Sequence, residues 1–254
     1  MQKKYLFIPV LVLLVLVLLV LGCSEEGPRG EAGPERLSGD VEGRVVALDE
    51  FGTSMVSPEG ITVTMTGDAA QASDVTDQEG GYLLTGLLTG HYYMEFEKQG
   101  FGKYANNYVF LGGDLVEVVS ERDIRELSST MIEEFNVALD GSILAFDGTI
   151  SPASIPDTAE RSVFIFFYHN DSVSNRIFTQ MLPINTYYVD STSYYYEMYM
   201  SDQFTRGQTL YMAAYGFSGY DWWSNIYWDN ELDKSVFNVN ENSAVHRTIE
   251  IPFY

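Results

Sequence analysis

Seven aromatic residues, Tyr215, Phe217, Tyr220, Trp222, Trp223, Tyr227 and Trp228, fall within fourteen positions and include every tryptophan of this 254-residue chain. Flat rings bordered by polar groups suit the C–H faces of sugar rings, and the neighbouring carboxylates with Asn225 or Asn230 could bond sugar hydroxyls. The same rings could instead fill a core, since strand alternation can turn Trp222 inward while Trp223 faces out. Trp222, Trp223, Tyr227 and Trp228 are therefore the candidate ligand-binding residues, with packing as the competing role.

Other chemistry-bearing residues are sparse. Asp221, Asp229, Glu231 and Asp233 are near enough in sequence to offer oxygens to Ca²⁺, but they lack the Asp-x-Asp-x-Asp-Gly loop that fixes ligand geometry. Solvated turn carboxylates are expected instead. His91, His169 and His246 each fall in an expected strand, and none has a zinc-ligand spacing. Gly216-Phe217-Ser218-Gly219 approaches a nucleophile turn, yet G-x-S-x-G places its second glycine one position later, so an ordinary turn is expected. This reading has no catalytic residue, no metal and no cofactor.

Cys23 is the single cysteine. Lys3 and Lys4, then the apolar run from Leu6 to Gly22, have the layout of a secretion signal. Val20-Leu21-Gly22-Cys23 resembles the lipobox of bacterial lipoproteins, although Leu21 is bulkier than the residue usual there. The resemblance implies a diacylglycerol on the Cys23 thiol, removal of residues 1–22 and acylation of the new amino terminus. An uncleaved membrane anchor is the alternative use of the same run. Several acyl chains would tether the protein without a spanning segment. Ser24-Glu25-Glu26 is similar to an acidic sorting signal that some Gram-negative bacteria use for the outer face of the outer membrane. The expected location is the bacterial cell envelope, lipid-anchored at the outer membrane and exposed on the surface. With no second cysteine, no disulfide supports the fold.

The formal net charge of −22 opposes contact with nucleic acid or anionic lipid head groups, which carry the same sign. It suits cations, neutral ligands or plain solvation of an extracellular surface. The expected partners are the membrane, through the lipid, and a glycan or an envelope protein.

The elements that would carry these residues are strands. Residues 23–38 read as a lipidated flexible tether, because Gly27 to Glu35 forms three collagen-like triplets, too few for a triple helix. From Gly39 the hydrophobic period becomes two: Ile61, Val63 and Met65 alternate with Thr62, Thr64 and Thr66, as Tyr92, Met94 and Phe96 do with Tyr93, Glu95 and Glu97. Turn signals at Glu50-Phe51-Gly52, Ser57-Pro58-Glu59-Gly60, Asp77 to Gly81 and Thr89-Gly90 separate these runs. Short alternating strands at this spacing argue for an antiparallel β-sandwich.

Gly43-Arg44-Val45-Val46, Asp49, Gly52 and Pro58-Glu59-Gly60-Ile61-Thr62-Val63, followed by Thr76-Asp77-Gln78-Glu79-Gly80-Gly81-Tyr82, Leu88-Thr89-Gly90-His91-Tyr92 and Gly100-Phe101, resemble the motifs of carboxypeptidase regulatory-like domains. The resemblance covers roughly residues 39 to 110 and implies a transthyretin-like fold. It implies no peptidase, because the matched part is the accessory domain and the zinc-binding catalytic domain has no counterpart here. In the motif, Asp77 can satisfy backbone donors, Gly80 can take positive φ, and Tyr82 and Tyr92 can enter the core with hydroxyls near the rim.

Met131 to Leu139 is expected to close this domain as a strand, with a short helix around Asp123 to Ser128 as an option. Strand-like runs follow at Ser142 to Phe146, Ser162 to His169, Tyr187 to Tyr199, Gln208 to Tyr215, Ile226 to Tyr227, Ser235 to Val239 and Val245 to Ile251. The fold class is therefore all-β with two antiparallel β-sandwich domains. The first, residues 39–139, is transthyretin-like, and the second, residues 140–254, is immunoglobulin-like or transthyretin-like. The leading function is a non-catalytic, lipid-anchored binding or spacer protein. Its alternatives are a surface glycan-binding lipoprotein using the Trp222–Trp228 cluster and an accessory subunit of an enzyme or outer-membrane transporter.

Overall fold

The computed structural model describes residues 37–67, 70–110, 112–113, 116–151, 160–186, 192–200, 204, 206–219 and 226–252. Cys23, Tyr220, Asp221, Trp222, Trp223 and Asn225 lie outside the described residues. Residues 36–254 form one compact unit.

Its first half contains β1 (Ser38–Leu48), β2 (Met55–Val56), β3 (Thr62–Gly67), β4 (Gln71–Val75), β5 (Gly81–Leu88), β6 (Gly90–Glu97), β7 (Tyr104–Phe110), β8 (Val116–Val118) and β9 (Arg122–Arg125). β1 runs antiparallel to β2 and β5 and parallel to β8 and β9. The second sheet has the order β4-β3-β6-β7. Alternation decides how they pack: Val41, Val45 and Leu84 from one sheet meet Val63, Met65 and Phe96 from the other in a buried cluster. Leu87 joins the same core although it stands three residues after Leu84, because the pairing shifts there by one residue. Gly86 supplies the positive φ of this bulge, and Asp40 Oδ1 accepts its N–H at 2.9 Å.

The turn before β5 is built as its residue types require. Asp77 Oδ1 accepts the N–H groups of Glu79 at 3.0 Å and Gly81 at 2.8 Å. Gly80 has φ 84°, and a Cβ there would fall 2.1 Å from the Val45 carbonyl oxygen. Tyr92 donates to the Leu88 carbonyl at 2.7 Å. Tyr82 goes deeper than a rim position: its hydroxyl is buried without a partner, over the space left by the missing side chain of Gly43.

The second half contains β10 (Met131–Asp140), β11 (Ile143–Ser151), β12 (Arg161–Tyr168), β13 (Gln180–Thr186), β14 (Ser193–Tyr199), β15 (Thr209–Ser218), β16 (Ile226–Asp229), β17 (Lys234–Phe237) and β18 (Asn240–Glu250). Sheet β10-β11-β14 faces sheet β13-β12-β15-β18 across Phe135, Leu144, Phe146, Ile165, Phe167 and Met212. The opposite side of the four-stranded sheet is also covered, where Phe164, Phe166 and Tyr215 pack with Val173, Phe237 and Val239. β12 is thus buried on both faces, which accounts for its unbroken apolar run Val163 to Phe167.

Four expectations change. Residues 122–125 are a strand rather than a helix, because the free edge of β1 pairs with them and Ile124 turns into the first core. Met131 to Leu139 is a strand, but it pairs with β11 and its Ile132 and Phe135 pack in the second half. β13 is an added strand whose signal Pro183 hides, and an edge position tolerates that proline. Gly216 to Ser218 belong to β15 rather than a turn, and Gly216 is required there because a Cβ would lie 2.0 Å from the Thr130 carbonyl oxygen.

Candidate functional site

Tyr227 and Trp228 are neighbours on β16, which forms a hairpin with β17. Ile226 and its cross-strand partner Phe237 turn toward the core beside the four-stranded sheet, so alternation sends Tyr227 and Trp228 to opposite faces. These two half-buried rings therefore do not share one platform. Tyr227 meets the Lys103 ammonium, 5.7 Å from the ring centre, while Tyr93 donates its hydroxyl to the Trp228 carbonyl. Burial pushes the Tyr227 phenol up, and nearby Arg176 pulls it partly back. Tyr215 and Phe217 are core residues.

This hairpin is one half of a joint between the two halves of the molecule. Lys103 pairs with Glu95 and, at 3.2 Å, with Glu97; burial would lower its pKa, but these carboxylates outweigh that and hold the ammonium above its usual range. A second polar cluster lies at Glu50. Its carboxylate accepts the Ser129 N–H at 2.6 Å and the Ser218 hydroxyl at 2.7 Å, while the buried Arg161 lies 4.0 Å away with its guanidinium over Phe51. Ser218, the serine of the nucleophile-like tetrapeptide, is thus a structural hydroxyl. Asp229 is committed too: Arg176 donates to Oδ2 at 2.7 Å, and Glu231 and Leu232 donate backbone N–H groups to Oδ1. His91 and His246 are exposed strand residues, and His169 lies just past the end of β12. Among the described residues, no group of three or more His, Cys, Asp or Glu could hold a metal ion, and no helix is long and apolar enough to cross a membrane.

A different exposed aromatic face lies on β14. Tyr194 points into the core, which turns Tyr195, Glu197 and Tyr199 outward. Tyr195 is 63% exposed and Tyr199 76%. Cross-strand register sets their surroundings: Tyr195 stands beside Asp147, Glu197 beside Ala145, and Tyr199 beside Ile143. On β10 the next positions are Asn136 and Ala138. Asn136 donates to Asp147 at 3.0 Å, and Tyr195 donates its hydroxyl to Glu197. That bond raises the Tyr195 phenol pKa and leans the ring along the strand. The two tyrosines thus flank the row of Glu197, Ala145 and Ala138, while Asp147 and Asn136 stand in the row of Tyr195. The run Ser193-Tyr194-Tyr195-Tyr196-Glu197-Met198-Tyr199 carries the alternation that announces two outward tyrosines, but the rows beside them depend on a register that no local pattern reveals.

No family model matches the chain, and no curated protein matches it. Among solved structures it is similar to a protein from Bacteroides uniformis proposed to bind carbohydrate, with TM-score 0.32 and 11% identity over 84% of this chain and 100% of that one. A DUF3823 family protein from Bacteroides ovatus gives TM-score 0.32 and 11% identity over 82% of this chain and 97% of that one. The major pilin SpaD from Corynebacterium diphtheriae gives TM-score 0.29 and 13% identity over 89% of this chain and 69% of that one. At such identities and TM-scores the likeness carries no argument about topology, ligand or partner.

Proposed function

We propose that this chain is a non-catalytic, lipid-anchored protein of the bacterial cell envelope that binds glycan through the face carrying Tyr195 and Tyr199. The observation that supports it is the pair of exposed rings with Glu197 between them and Asp147 and Asn136 beside Tyr195, since rings bordered by hydrogen-bonding groups match the two kinds of surface a sugar presents. The anchor rests on Cys23 and the apolar run before it. In this proposal the first half is a transthyretin-like domain of the carboxypeptidase regulatory type, serving as the stalk. The second half, immunoglobulin-like or transthyretin-like, presents the binding face.

A spacer role is the second reading, favoured by the joint at Glu50 and Lys103, which fixes the two halves to each other. A glycan array run beside an envelope-extract pull-down separates the two, using soluble protein that starts at Ser24. Retention of defined glycans supports the proposal. Capture of an envelope protein with no glycan retained would replace it with the spacer or accessory-subunit reading.

A further inference from the structure

We infer that the Tyr195–Tyr199 face takes an extended, uncharged polysaccharide lying along β14, rather than a single sugar or a chain end; this rests on the glycan reading above. The first reason is span. The two tyrosines are four residues apart on one strand, which sets their backbone attachment points about 13 Å apart at a strand rise of roughly 3.3 Å per residue. One pyranose covers one ring, whereas a run of linked pyranoses reaches both.

Relief is the second reason. Beside Glu197, the outward residue between the rings on β14, the neighbouring strands carry Ala145 and Ala138, small side chains that keep that side of the face low. Both tyrosines are more exposed than buried, so the face does not enclose a ligand end. A chain can enter and leave along the strand, and each tyrosine stacks on a different unit.

Charge is the third. Asp140, Asp147 and Glu197 stand at outward positions of these strands, and the whole chain carries a net charge of −22. Carboxylates accept hydrogen bonds from the hydroxyls of a neutral glycan but repel uronate or sulfate groups. Asn136 adds amide donors for ring or hydroxyl oxygens. The same field disfavours a second copy of this acidic chain on the face, although β14 is an edge strand that could pair with one.

The test uses soluble protein from Ser24 and isothermal titration with the monosaccharide, disaccharide and hexasaccharide of cellulose, mannan and xylan, with polygalacturonate as the anionic comparison. A neutral hexasaccharide is expected to bind on the order of tenfold more tightly than its disaccharide, with polygalacturonate silent. Tyr195→Ala and Tyr199→Ala should each lower that affinity about tenfold without changing the melting temperature, while Trp228→Ala leaves it unchanged. If the monosaccharide binds as well as the hexasaccharide, or polygalacturonate binds equally, the extended-chain inference falls while the glycan reading stands; if the tyrosine variants bind normally, the ligand lies elsewhere and both fall. If no saccharide binds, both fall, and light scattering then tells whether self-association through β14 occupies the face.

Discussion

Lys103 and Asn238 hold each other across the two halves of the molecule through a closed pair of hydrogen bonds. The Lys103 N–H donates to Asn238 Oδ1 at 2.9 Å, and Asn238 Nδ2 donates to the Lys103 carbonyl at 2.7 Å. A side-chain amide carries its donor and its acceptor side by side in one plane. Gly102 makes room for it, since a Cβ there would lie 2.8 Å from Asn238 Cγ. Asn238→Ala should therefore cost about 1–3 kcal/mol, because it leaves a part-buried donor and acceptor unmade. Urea titration measures this, and an unchanged midpoint would show that the pair does not support the joint.

A fragment of residues 37–127 should melt cooperatively by itself, because the core from Val41 to Ile124 is complete within it. Extending it to residue 139 should add no stability and should promote aggregation, since β10 would present Ile132 and Phe135 without their partners. Differential scanning calorimetry compares the two fragments. Greater stability in the longer one would place β10 energetically in the first half.

Alkaline pH should weaken the fold through its tyrosines. Burial pushes the Tyr82 phenol up to about 12, with Arg122 pulling it partly back, and burial also raises Tyr194 and Tyr108. A pKa raised in the folded state gives stability that is complete below the unfolded phenol value of about 10 and is lost as pH rises through the folded value. The melting temperature should fall between about pH 10 and 12 as tyrosinate absorbance grows. Tyr82→Phe should reduce that fall and be neutral or stabilising at pH 7, because the Tyr82 hydroxyl is buried without a partner. Clear destabilisation by Tyr82→Phe at pH 7 would show that the hydroxyl is satisfied.

Cys23→Ser should abolish lipid attachment and leave the signal segment uncleaved, as the lipobox resemblance requires. Intact-mass spectrometry of membrane-extracted protein shows the outcome directly. A mature chain that begins elsewhere and carries no acyl mass would rule out the anchor.

Much of the all-β architecture is legible in local pattern. The alternation of Ile61, Val63 and Met65 reads directly as one buried face, and Asp77 and Gly80 announce their turn because a carboxylate acceptor and a positive φ are needed there. What local pattern does not carry is which edge accepts which strand. Met131 to Leu139 reads as a strand in either half, and only pairing with β11 decides between them. Pro183 obscures β13 because its cost depends on whether the strand is central or at an edge. The candidate site divides in the same way. Tyr227 and Trp228 stand out by residue type, yet their strand turns one against Lys103 and the other away from it. Tyr195 and Tyr199 become a face only through Ala145 and Ala138 on two other strands.

The most direct measurement of the glycan claim is ¹³C–¹H NMR of the soluble protein with labelled tyrosine and alanine, titrated with a neutral hexasaccharide that the array retains. The account predicts saturable shifts of the Tyr195 and Tyr199 ring signals together with the Ala138 and Ala145 methyl signals, while Tyr227 stays in place. Shifts at Tyr227 with Tyr195 and Tyr199 unmoved would contradict it and put the ligand on the hairpin side of the molecule.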